Sequence, residues 1–158
     1  MDIRIRRALS ADLPGIHALV RELAAYERAE DEFVASLEDY RRDFEAGVFE
    51  ALVAEQPGQG LLGMALYYLA YSTWKGRMLF LEDFVVREAY RRHGIGQQLF
   101  DAFLLEASCK GCRLVKWQVL DWNEPALAFY AKNKAAIEKG WWNGKIFLEP
   151  ERGYNLFK

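Results

Sequence analysis

The segment 81–96, Leu81-Glu82-Asp83-Phe84-Val85-Val86-Arg87-Glu88-Ala89-Tyr90-Arg91-Arg92-His93-Gly94-Ile95-Gly96, constrains this chain most. Its first half reads as a buried strand. It passes into a loop whose two glycines open a helix, with Leu99, Phe100, Phe103, Leu104 and Ala107 at helical spacing. Glycines at such a turn let consecutive N–H groups face one point, and the helix N-terminus adds partial positive charge, so a phosphate is held well there. Arg91, Arg92 and His93 add charge at the rim. Two commoner phosphate loops are excluded. There is no Gly-Lys-Ser/Thr, so this is not a P-loop. The spacing Gly94-x-Gly96-x-x-Leu99 lacks the third glycine of a dinucleotide fingerprint. A tight turn with a solvated basic rim stands beside the phosphate reading at this point.

The remaining elements surround that segment. Ile3 and Ile5 alternate with Arg4 and Arg6 as a half-buried first strand. A helix capped by Ser10 or Asp12, with Pro14 in its first turn, runs out near Tyr26. A second covers Ser36 to Glu45, and strands follow at Phe49–Glu55, Leu61–Tyr71 and Met78–Val86. The helix after the glycines stops at Gly111, Leu114–Leu120 is a strand, and Asn123 caps a helix through Ala136. Two strands are expected in Trp141–Phe157, around Glu149-Pro150-Glu151-Arg152-Gly153. The order β-α-α-β-β-β-α-β-α-β-β predicts an α/β fold with a mixed central sheet flanked by helices. A chain of 158 residues fits a single domain over 1–158, burying about 70% of its unfolded surface.

Composition narrows the partners. Hydrophobic residues make up 52% of the chain and the formal charge is −2, which exclude a disordered chain and a strongly basic nucleic-acid binder. No apolar run approaches the ~20 residues of a membrane span, and the N-terminus lacks the apolar core of a signal peptide, so a cytoplasmic location is expected. Residues 1–60 hold 13 acids and 7 bases, a net of −6, whereas residues 61–158 hold 10 acids and 14 bases, a net of +4. Cys109-Lys110-Gly111-Cys112 lies at a helix C-terminus, where thiolates gain nothing from the dipole. With His17 and His93 far apart, no metal site is expected.

Glu82 and Asp83 interrupt an otherwise apolar strand. Strand geometry puts them on opposite faces unless a bulge intervenes, and buried acids are costly without a partner. They read either as members of a structural ion pair or as groups that meet a ligand. Tyr26 and Glu27, followed by Glu30, Asp31 and Glu32, form an acidic, aromatic edge suited to an ammonium group; residues 30–32 read equally as a solvated loop.

Arg91-Arg92-His93-Gly94-Ile95-Gly96, between a buried strand and an amphipathic helix, resembles the Arg/Gln-x-x-Gly-x-Gly/Ala signature of the GNAT superfamily of N-acetyltransferases. Five strings are similar to its diamine (spermidine/spermine) and thialysine acetyltransferase branch. They are Glu22-Leu23-Ala24-Ala25-Tyr26-Glu27, Leu81-Glu82-Asp83-Phe84, Gly94-Ile95-Gly96, Trp122-Asn123-Glu124-Pro125 and Phe129-Tyr130. The resemblance implies acetyl transfer from acetyl-CoA to a small polyamine, diamine or lysine-like amine by direct attack in a ternary complex. It implies that Arg91, Arg92, His93, Gly94, Ile95, Gly96 and Gln97 hold the pyrophosphate. The backbone of Phe84, Val85 and Val86 would pair with the pantetheine arm, and Asn123 and Ala126 would lie along the cofactor. Glu82 becomes the base and a substrate contact, Tyr130 the acid that protonates the departing sulfur, and Tyr26, Glu27, Asp83 and Trp122 further substrate contacts. Members of the branch form homodimers, and the aromatic stretch 141–157 is compatible with one. One position departs from the pattern: the glycine usual four residues after the tyrosine is Lys134 here. That departure supports the alternative of a non-catalytic acetyl-CoA-binding or sensor domain of the same fold.

Overall fold

The computed structural model describes residues 1–148, which group into two compact units, 1–120 and 121–148. In the first unit, five strands form one sheet in the order β1 (Arg4–Arg7), β2 (Glu50–Gln56), β3 (Gly60–Ser72), β4 (Gly76–Val86), β5 (Leu114–Trp117). Neighbours pair antiparallel except β4 and β5, which are parallel. The helices are α1 (Leu13–Tyr26), α2 (Leu37–Glu45) and α3 (Ile95–Cys109).

The alternation of β3 sorts the two faces. Met64 and Leu66 join Leu13, Ile16 and Leu19 of α1 in one core, against which Leu37, Tyr40 and Phe44 of α2 pack. Tyr67 points the other way, its ring 5.5 Å from that of Phe103 on α3. Both faces of β2 and of the first half of β3 are thus covered, which explains their unbroken apolar runs. Gly63 permits the close approach of β3 and β4, since a Cβ there would lie 2.6 Å from the Val85 carbonyl oxygen.

Local rules account for the helix ends. Ser36 caps α2 reciprocally with Asp39: Ser36 Oγ accepts from the Asp39 N–H at 3.1 Å, and Asp39 accepts from the Ser36 N–H at 2.9 Å. The expected cap on α1 is different. Asp12 stands at its N-cap, but its carboxylate accepts from the Leu9 N–H and from both terminal nitrogens of Arg6, and makes no cap bond. A bidentate guanidinium pair is the stronger competitor. Gly111 ends α3 in the left-handed conformation, with the Cys112 N–H donating to the Ala107 carbonyl.

Three expectations change. The helix expected through Ala136 ends at Lys132, because the chain turns left-handed at Lys134. β5 ends at Trp117, short of Leu120, because its last pair is Leu81 with Trp117 and β4 bulges at the next residue. In the second unit, α4 (Glu124–Lys132) is followed by no strand among the described residues, so the strand expected from Trp141 does not form over 141–148. A strand needs a paired neighbour in a sheet, and the five-stranded sheet includes no residue of 141–148. Its continuation at 149–157 lies outside the described residues.

Candidate active site

The bulge in β4 sets the acids. Leu66 pairs with Asp83 and Tyr67 with Leu81, leaving Glu82 as the extra residue. The extra residue breaks the alternation, and both carboxylates come to the face that holds α1 and α2. Glu82 accepts a hydrogen bond from the Tyr68 hydroxyl at 3.2 Å. Asp83 lies opposite Leu66, a member of the core on that face.

Electrostatics confirm the grouping. Burial, with the like charges of Glu82 and Glu27, pushes Asp83 up to about 7. Burial and then Glu82 raise Glu27 above the ordinary carboxylate range. Burial, then Asp83 and Glu82, push the Tyr40 phenol up to about 12. The α1 terminus, α2, β3 and the β4 bulge thus deliver three carboxylates and two tyrosines, Tyr40 and Tyr68, to one region. Its charged members are all acidic, which suits a cation.

Beyond Leu81, β4 keeps its ladder with β3 but has no ladder pair with β5. Phe84, Val85 and Val86 therefore lie on a sheet edge that opens where the acids begin. The strand then leads into the loop. Gly94, at φ 78°, is the N-cap of α3, and Arg92 is also left-handed at φ 64°. Such alternation turns backbone N–H groups toward a common point, and the first-turn amides of α3 have no acceptor within the helix. A Cβ at Gly94 would meet nothing within 4 Å, so the space before the loop is open. Backbone donors, a helix N-terminus and flanking cations make a donor set that fits a pyrophosphate.

The arginines at the loop are already oriented. Arg91 donates from Nε to the Val86 carbonyl at 2.9 Å, and its guanidinium lies 5.4 Å from the centre of the Tyr26 ring. Arg87 pairs with Glu22 at 3.4 Å. With Leu23, Val85 and Val86 these residues line a cleft of about 460 Å³. Tyr26, expected beside an amine, has a ring face against Arg91 and stands at the loop.

In the second unit, the Asn123 side chain caps α4, accepting from the Ala126 N–H at 3.3 Å, with Pro125 in the first turn. Phe129 and Tyr130 follow, their rings at 73° to each other. Lys134 adopts φ 62°, and the Ala135 N–H donates to the Tyr130 carbonyl at 3.0 Å. Lysine thus takes the left-handed C-terminal geometry that glycine usually supplies, and α4 ends as the motif requires.

The structure brings Glu27, Glu82 and Asp83 together through the bulge, and the loop residues 91–96 lead into α3. Glu30, Asp31 and Glu32 form an exposed 3₁₀ turn. Tyr68 and Tyr40 escaped the sequence reading. A Tyr-rich strand reads as core, and only the bulge reveals that Tyr68 reaches a carboxylate.

A model of the acetyltransferase (GNAT) family matches residues 14–134. A thialysine N-epsilon-acetyltransferase from Bos taurus is 42% identical over 137 residues, covering 81% of each chain. A spermidine/spermine N(1)-acetyltransferase-like protein 1 from Homo sapiens is 31% identical, covering 98% of this chain and 22% of the relative. Among solved structures, an aminoglycoside acetyltransferase from a soil metagenome superposes with a TM-score of 0.77 at 22% identity, covering 93% and 97% of the two chains. The chain belongs to the GNAT family of acetyltransferases. It is an N-acetyltransferase, and a non-catalytic domain of the same fold is not favoured.

Proposed function

We propose that the chain transfers the acetyl group of acetyl-CoA to a primary amine of a small polyamine, diamine or lysine-like substrate. The observation that carries this reading is the β4 bulge, which turns Glu82 and Asp83 to one face beside Glu27, where the sheet edge opens. An ammonium group is attracted by such a cluster, yet it must lose a proton before nitrogen can attack. Glu82 takes that proton, directly or through water, while Asp83, Glu27 and Trp122 contact the substrate. Tyr26 closes the substrate side at the loop.

Family members use acetyl-CoA, which supplies the thioester carbonyl: a C–N bond forms there, the C–S bond breaks and the thiolate takes a proton. On the family resemblance, Tyr130 supplies that proton, and Asn123 and Ala126 lie along the cofactor. The backbone of Phe84, Val85 and Val86 binds the pantetheine arm and polarises the carbonyl, since amides aimed at a developing oxyanion lower its energy. The loop Arg91 to Gln97 holds the pyrophosphate. No metal takes part.

The match over 14–134 crosses the boundary between the two compact units and supports a single functional domain. A cytoplasmic homodimer acting on small molecules, without nucleic acid or membrane, completes the reading. No helix among the described residues is long and apolar enough to cross a membrane. The relative at 42% identity points to a lysine-like amine first. Thiol release from acetyl-CoA, measured with thialysine, lysine, ornithine, spermidine and short diamines, tests the proposal. At least one of these amines is expected to drive release above the hydrolytic background, and Tyr130→Phe to lower turnover with acetyl-CoA affinity kept. No release with any primary amine overturns the amine reading.

A further inference from the structure

We infer that Tyr68 is a positioning residue for the transfer, holding the Glu82 carboxylate in the orientation from which it takes the amine's proton. The inference rests on the proposed role of Glu82. Tyr68 pairs across the ladder with Phe80, and their rings stack at 5.3 Å with planes 22° apart. That stack fixes the phenol over the bulge, where its hydroxyl donates to Glu82 Oε2 at 3.2 Å.

Glu82 needs such a tie. It is the extra residue of the bulge and has no paired residue across the ladder. It is also exposed, and an exposed glutamate otherwise spreads over many rotamers, which ordering must overcome. A general base works only within hydrogen-bond reach of its proton, and reacting groups lose rate steeply when misplaced by about 1 Å. The Tyr68 bond occupies one carboxylate oxygen. Among the described residues, the other accepts nothing from the protein and is left for the amine or its water. Burial and the Glu82 charge push the phenol up to about 12, so it remains a donor at any pH near neutral. The sequence places an aromatic residue here, but packing on Phe80 alone needs no hydroxyl.

Tyr68→Phe removes the hydroxyl and keeps the stack, and its melting temperature is expected to match the parent. Turnover is expected to fall about tenfold, with KM for acetyl-CoA within about twofold, as for an interaction made chiefly in the transition state. In a Glu82→Gln background, Tyr68→Phe should add no further loss. Parental turnover in Tyr68→Phe, with activity lost in Glu82→Gln, would remove Tyr68 from the role. Equal losses from Tyr68→Phe in both backgrounds would also overturn it. Full turnover in Glu82→Gln alone would bring down the base reading, and the role of Tyr68 with it.

Discussion

From Gly76 to Leu81, β4 alternates buried and open positions and pairs with β3, and from Met78 with β5 as well. From Glu82 to Val86 the same strand pairs on one edge only, begins with a bulge and carries two acids. The first half behaves as scaffold: Leu79 and Leu81 are buried and nothing there is chemically reactive. The second half gives up one ladder and gains an open backbone edge beside a carboxylate cluster. One residue of excess, Glu82, separates the two behaviours. Position along a strand therefore says less about a residue's role than the ladder on its far side.

The contrast can be broken or sharpened by substitution. The largest effect on stability belongs to the scaffold half. Leu79 is fully buried, so Leu79→Ala should cost about 3 kcal/mol in denaturant unfolding, while acetyl-CoA affinity of the folded protein stays near the parent. A fall in affinity without a loss of stability would erase the division.

Asp83→Asn should do the reverse. Asp83 stands at about 7 in the folded chain against an ordinary 3.8. The folded state thus binds the extra proton between about pH 4 and pH 7, and stability falls as pH rises through that window. Asparagine removes the penalty. Its melting temperature should exceed the parent's at pH 8, by on the order of 2 kcal/mol in stability, with the gap closing toward pH 4. A gain independent of pH would mean that Asp83 is not held against its charge.

The smallest effect lies outside β4. Four helices end with the same pair of hydrogen bonds around a left-handed residue, on Gly47 and Gly111 in two cases and on Arg28 and Lys134 in the others. Lys134→Gly should gain about 1 kcal/mol by relieving the side chain's strain, leaving turnover unchanged. A large change in turnover would show that the lysine does more than end α4.

These features differ in how far the sequence reveals them. The elements from the first strand to α4 were legible because each has a periodic apolar face, although Asp12, expected as a cap of α1, is taken by Arg6. The loop was legible as a strand-to-helix turn because glycine at position 94 suits the left-handed N-cap of α3. The bulge was not: glutamate at position 82 is no bulge signal, and the register that produces it depends on β3. Tyr68 was hidden for the same reason, and Arg28 and Lys134 because helix stops are sought at glycines. The stretch 141–148 is apolar enough for a strand, yet pairing partners are not written in a strand's own residues.

The most direct measurement pairs two readouts on Glu82→Gln: amine-dependent thiol release and the dissociation constant of acetyl-CoA. With acid pair and loop as separate parts of one site, turnover should fall about a hundredfold or more, as for loss of a general base, while acetyl-CoA binding stays within about twofold. Full turnover with an unchanged pH profile, or a parallel loss of acetyl-CoA binding, would contradict it.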